Sequence, residues 1–505
     1  RHWRDGGRPR EAAAAFEQAA RRAREAARQV EEAEFHAQAA QAHADAGQGE
    51  ARFEALANRV AALIGARSDE AALAEARALP DHATSDVQRV RALRVLTDQL
   101  GQRGPFEEAI EVGLRGIALA RRIGAQQELA RLAGVTAGNQ LKLGRTDDAY
   151  SLLLPLRDWV DREADDEVRQ IWYGYWAALL GHTGRLREGV ASYEVSIACA
   201  ERTGARPNLS MALINQSVVL RTVGALPRAT EVCLRGLDLL NEDADSAQYR
   251  LARLMHARNE AETGELGPAQ QALDVLLPQF EAMGAPFWVH ALRATQARLW
   301  QHLGQHARAL QALQMDDAGQ PAWMQAGRLW LRLEIGQWLG TPAPAESARQ
   351  ALALLDADAN RRTSNAVRGL RFSTAQAVLD QADALAHSAA RLELFGTVAA
   401  LAQYRAQAAM VLHRHDEAAA CARQLLGLLD EGYVPDFVYT PEARLVAGQA
   451  LRAAGDPAGA RHAFGAGLQW VRGKALPQVP APFIDSFLRR NPVNRDLLAL
   501  ASPAG

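Results

Sequence analysis

Apolar residues along this chain come in short clusters separated by charged and amide side chains. The longest uninterrupted runs are only a few residues, as in Ser151-Leu-Leu-Leu-Pro155, and no stretch alternates apolar with polar residues for long. Such a pattern lacks both the apolar block of about 20 residues that a membrane-spanning helix needs and the period of two of a half-buried strand. Ala, Leu, Arg, Glu and Gln, all strong helix formers, dominate, and β-branched residues are sparse. Helices are therefore expected throughout, beginning with one over Arg10–Glu32. With 505 residues the chain is too long for one conventional core, so it is either a series of domains or a stacked repeat.

A repeat is legible. Gly104, Gly144, Gly184, Gly224, Gly264 and Gly304 are spaced 40 residues apart. Five residues after each stands a small side chain: Ala109, Ala149, Gly189, Ala229, Ala269 and Ala309. Seven before each stands another: Thr97, Ala137, Ala177, Ser217, Ala257 and Ala297. The glycine is expected to end the first helix of a hairpin in a left-handed conformation, and the small residues to let the paired helices approach closely. Leu153, Tyr193, Cys233, Leu273 and Leu313 follow as packing residues, with Gly113 breaking the pattern in the first copy. Gly124, Gly204 and Gly284 fall in register between one hairpin and the next. Looser copies begin at Gly7 and Gly47 and recur at His413–Ala419 and Gly455–Ala460. Irregular joins are expected near Pro80 and at the Thr341–Pro344 loop. Four regions result: N-terminal hairpins (1–80), regular repeats (81–340), less regular repeats (341–472) and a capping segment (473–505).

The small–Gly–small skeleton, as in Ala212–Ser217 followed by Gly224 and Ala229, resembles the tetratricopeptide repeat family. The period is 40 residues rather than the family's usual 34 or so. That variant is similar to the repeat region of large bacterial regulators such as the activator of maltose genes, over about residues 5–472. The resemblance implies an all-α, right-handed superhelical solenoid. Its hairpins bury their apolar stripes only by stacking, and their first helices line a concave wall. Carried over by position, the inner wall holds Arg94, Arg131, Lys142, His182, Arg221, Arg258, Arg298 and His302. These are expected to form a groove for a protein segment or a small-molecule effector. The aromatic clusters Trp172–Trp176 and Phe287–Trp338 are expected to fill the core between helices.

The last stretch departs from the repeat. Pro480 and Pro482 end the preceding element, Asp485–Arg490 suggests a short helix, and Asn494 is placed to cap a final helix, Arg495–Ala501. Phe487, Asn491, Pro492, Asn494, Arg495 and Leu498 resemble the closing stretch of large bacterial signal-transduction ATPases. In those proteins an output module and a nucleotide-binding domain precede a long repeat array. The chain opens on Arg1 rather than Met, and such domains are expected upstream in the same polypeptide. A stand-alone scaffold is the alternative reading.

Charge and candidate chemistry add exclusions. With 57 basic and 59 acidic residues the net charge is −2, which imposes neither a nucleic-acid nor a membrane partner. Cys199, Cys233 and Cys421 are far apart and odd in number, which favours a reducing, cytoplasmic compartment. No phosphate-binding loop is present: Gly473-Lys474 is followed by Ala475 and lacks its upstream glycine. His302 and His306 stand four apart with Gly304 between them, and no Cys-x-x-Cys occurs, so no metal, cofactor or catalytic set is expected.

Overall fold

The computed structural model describes residues 7–66, 69–241, 246–316, 319–341, 345–354, 358–435 and 437–501. Among these residues the chain is all-α, with 26 α-helices and no strand. None of the helices is long and apolar enough to cross a membrane. The prolines of the Thr341–Pro344 loop lie outside the described residues.

Helices pair as antiparallel hairpins. First helices run over Asp86–Arg103, Gln126–Lys142, Asp166–His182, Arg206–Val223, Ala247–Thr263 and Pro286–His302. Their partners are Phe106–Ile123, Thr146–Leu153, Leu186–Thr203, Leu226–Asp238, Leu266–Ala282 and His306–Ala312. All six in-register glycines between them have φ between 71° and 116°. The small residues on either side explain how close the helices come. Eleven of the twelve are between 0 and 2% exposed. A Cβ on the twelfth, Gly189, would sit 3.1 Å from the Ala177 carbonyl oxygen. The break at Gly113 has a cause of its own, because a Cβ there would collide with the Thr136 side chain at 2.2 Å.

Beyond His302 the repeat continues at a shorter period. First helices start at 286, 322, 359 and 395, which are steps of 36, 37 and 36 residues. The glycine register therefore fails there while the hairpins persist. Two further corrections concern helix boundaries. The helix expected over Arg10–Glu32 is two helices, Pro9–Glu25 and Gln29–Asp45. They are separated by Ala27, which adopts φ 58° without being glycine while the Arg28 amide donates to the Ala23 carbonyl at 2.8 Å. The final helix begins at Pro492, not Arg495. Asn491 caps it by accepting from the Val493 and Asn494 amides at 3.1 and 3.2 Å.

First helices form an inner layer, packed on the first helices of adjacent hairpins, and second helices form the outside. Gln126–Lys142 accordingly has eleven buried residues, whereas Leu186–Thr203 has six. The hydrophobic core runs along the stack as a series of clusters, several of which bridge neighbouring hairpins. One cluster joins Phe53 to Val112 across Pro80, and another joins Leu254 and Leu303 to Phe487 and Leu497. Trp172 and Trp176 are buried in one further cluster and Trp330 in another.

The stack coils so tightly that successive turns touch end to end. The Trp288 indole donates to the Gln102 carbonyl and the Trp323 indole to the Lys142 carbonyl, both at 2.9 Å. The Asn491 amide donates to the His302 carbonyl at 2.8 Å. These three acceptors occupy one position of the 40-residue register, and Asn360 donates to the Gly181 carbonyl one residue earlier. Contacts between turns link residues 176 to 219 apart. Divided by the 40-residue period, that is about four and a half to five and a half hairpins per turn.

Candidate functional site

The inner face of the coil is the place the repeat singles out. About five helices on a ring, at the usual interaxial spacing of 8–10 Å, put each axis roughly 7–8.5 Å from the centre. A helix with its side chains has a radius of about 5–6 Å. The remaining space is about as wide as the long side chains that point into it. Cations there must therefore meet whatever the neighbouring helices present.

They meet carboxylates. Arg94 donates to Glu128 at 2.9 Å. Arg131 donates to the same carboxylate at 2.9 Å and to Glu167 at 3.2 Å. Burial disfavours the charge on Glu128, but Arg94 and Arg131 outweigh it and hold its carboxyl below the usual range. One hairpin earlier, Arg91 pairs with Glu54. A second chain of pairs runs through the later hairpins. Arg298 lies between Glu262 at 3.8 Å and Glu334 at 3.0 Å. Glu334, whose side chain is 1% exposed, also takes two bonds from Arg368 at 2.5 and 2.9 Å. Burial again opposes its charge, and Arg368 and Arg298 again prevail. Arg371 grips Glu442 at 2.7 and 3.2 Å. Arg221 donates to Asn259 at 2.9 Å. Arg258 is half-buried on the same helix as Asn259.

Lys142, His182 and His302 stand at the ends of first helices. The Lys142 ammonium donates to the Gly101 carbonyl at 2.6 Å and lies 5.1 Å from the Phe106 ring centre. Burial brings its pKa down to about 8 despite nearby Asp98. His182 pairs with Asp358 of the next turn at 2.6 Å. His302 Nδ1 is 3.2 Å from the Ala261 carbonyl oxygen, and its ring packs on Tyr439 with centroids 4.6 Å apart. Burial pushes its pKa down to about 3.

Arg94, Arg131 and Arg298 thus belong to shared ladders. Arg221 bonds a neighbouring amide, Lys142, His182 and His302 stand at helix ends, and Arg258 lies within its helix. The acids Glu128, Glu262, Glu334 and Glu442 were not among the residues picked from the sequence. A search for carboxylates 34 to 36 residues from Arg94, Arg298 and Arg368 finds the first three. Several of the inner-wall cations are thus met by carboxylates or amides of adjacent helices. Among the described residues, no group of three or more His, Cys, Asp or Glu is placed to hold a metal ion.

No protein-family model matches the sequence, nor does any curated protein. Among solved structures the chain is similar to a Rap protein complexed with Competence and Sporulation Factor. That match has 10% identity and a TM-score of 0.43, and covers 78% of this chain and 99% of the other. It is also similar to the APC/C hetero-tetramer Cut9–Hcn1, at 12% identity and a TM-score of 0.42, covering 97% of this chain and 96% of that one. Neither likeness is close enough to carry an argument about activity. The helical hairpins, their small–Gly–small skeleton and their continuous stack define the class by themselves. This is a tetratricopeptide-like repeat coil.

Proposed function

We propose that this chain is the sensing and interaction region of a bacterial multidomain regulator, with a nucleotide-binding switch and a transcriptional output module upstream in the same polypeptide. A protein segment or a small effector engages the inner wall. It does so by exchanging its own charges for the internal pairs around Glu128 and Glu334. The observation that carries this reading is the ladder itself. Its ion pairs cross from hairpin to hairpin, so replacing one pair alters how two neighbouring hairpins sit, and a stacked array passes that change along its length. Binding then selects between a tightly and a loosely wound coil, as a population shift requires. The resemblance of Phe487, Asn491, Pro492 and Asn494 to the closing stretch of signal-transduction ATPases supports the multidomain context.

The test begins with the coding sequence upstream of Arg1. An in-frame phosphate-binding loop followed by this array is the expected result. Full-length protein carrying Arg94→Glu and Arg131→Glu should then show altered nucleotide turnover. A start codon directly before Arg1 would replace the regulator with an independent scaffold. Turnover indifferent to both substitutions would remove the inner wall from the mechanism.

A further inference from the structure

The C-terminal stretch does more than cover the last hairpin. Leu497 does pack there, 3.2 Å from where a Cβ on Gly467 would stand, and the Tyr439 hydroxyl donates to Asn494 at 3.0 Å. Its other polar contacts reach back across the coil. The Ser486 hydroxyl donates to the Leu303 carbonyl at 2.7 Å, and the Asn491 amide to the His302 carbonyl at 2.8 Å. Gln305 donates to Ser486 Oγ at 2.7 Å. His306 Nε2 lies 3.2 Å from the Arg490 carbonyl oxygen. A Cβ on Gly304 would stand 2.3 Å from the Ser486 carbonyl oxygen, so the approach is backbone against backbone.

The two carbonyls involved belong to the end of helix Pro286–His302, where the last acceptors of a helix have no partner within it. Local amides serve Leu299, Trp300 and Gln301, while His302 and Leu303 receive their donors from residues more than 180 positions later. Ser486, Asn491 and Asn494 are all at most 3% exposed. Phe487 and Leu497, both 0% exposed, share one core with Leu254, Leu299 and Leu303. Of two π-helical segments, Trp470–Ala475 precedes the contact and Ser486–Arg490 supplies part of it. Such widened turns are frequent where a helix must re-aim its groups.

We propose that residues 479–501 are a latch that fastens the last hairpins to the His302–His306 turn one coil earlier and is released as a unit. In the released state water takes over the His302 and Leu303 carbonyls, and the aromatic layer of His302, Trp338, Tyr439 and Trp470 is uncovered. The latch acts on the pitch of the coil whether or not a switch domain lies upstream.

Hydrogen–deuterium exchange on the full chain tests this, using Ser486→Ala, Asn491→Ala and Gln305→Ala. Each removes one side of the contact. Gln305→Ala leaves residues 479–501 themselves intact and so guards against a variant that merely misfolds. Exchange at 302–306 and at 484–494 is expected to accelerate together by about tenfold or more in every variant. The hairpins between 106 and 203 should be unchanged. Ser486→Ala combined with Gln305→Ala should add little to either alone. Faster exchange at 484–501 with 302–306 unaffected would reduce the segment to an end cap and overturn the proposal. So would equal acceleration in all hairpins.

Discussion

Gly204 and Gly224 both hold left-handed backbone, with φ of 68° and 95°, yet replacing them with alanine should have unequal consequences. The left-handed region costs an alanine roughly 1–2 kcal/mol at either site. At Gly204 the added methyl meets nothing within 4 Å, so that is the whole penalty. At Gly224 it would lie 2.5 Å from both the Cα and the N of Gly396, and 3.2 Å from the Val434 carbonyl oxygen. All three are backbone atoms of the next coil turn, and no side chain can rotate away to make room. The neighbouring amide of Val434 donates to the Gly224 carbonyl at 2.7 Å, so separating the strands of chain also sacrifices that bond. Overpacking of this kind costs about 1–3 kcal/mol. Gly224→Ala should therefore lose about 2–5 kcal/mol against about 1–2 kcal/mol for Gly204→Ala. Urea unfolding followed by circular dichroism measures both, and hydrogen exchange at 394–396 and 433–434 locates the damage. Equal losses, or damage confined to the Arg206–Asp238 hairpin, would refute the claim that coil turns are in contact at these glycines.

Other expectations follow from the inner wall and the turns. His302 is held neutral, so its contribution is complete above its unfolded pKa near 6.5 and is lost as the pH falls toward its folded value of about 3. Acidification from pH 7 to 5 should cost about 2 kcal/mol through this residue. His302→Gln should show a weaker acid dependence by that amount, and an unchanged slope would count against the burial argument. Glu334→Ala leaves Arg298 and Arg368 facing each other inside the coil and should cost about 3–5 kcal/mol in urea unfolding. His413 is exposed and carries φ 56°. His413→Gly should therefore raise the melting temperature, by an amount corresponding to about 1 kcal/mol or less.

The hairpins were legible wherever glycine supplied the left-handed turn, because that conformation selects its residue almost alone. Ala27, Glu393 and His413 take the same conformation without glycine. At Ala27 the sequence therefore read as one helix through Glu32, and around Glu393 the phasing looked poor. At the C-terminus Asn491 and Asn494 are both capable caps. Which one serves is decided by Tyr439 and Phe487, which engage Asn494 instead. Basic residues on the inner face could be picked by register. Three of their acids stand 34 to 36 residues from Arg94, Arg298 or Arg368, but which of the many carboxylates near that spacing forms a pair depends on the small rotation between hairpins. Contacts between turns were beyond reach for the same reason: the separation of 219 residues between Gln29 and Gln248 follows from the accumulated twist and from no local signal.

End-to-end contact between turns gives this repeat array a fixed length. An open solenoid tolerates gain or loss of a hairpin, because each unit touches only its neighbours. Here the Trp288 indole finds the Gln102 carbonyl, and Asn491 finds His302, only while a set number of hairpins intervenes. Deleting one 40-residue unit would rotate every later contact out of phase by about a fifth of a turn. Stability is consequently shared between parts of the chain far apart in sequence. Apart from release of the C-terminal latch, the coil should unfold as a cooperative whole rather than fraying hairpin by hairpin, and its assembly must wait for closures that local hairpins do not bring about.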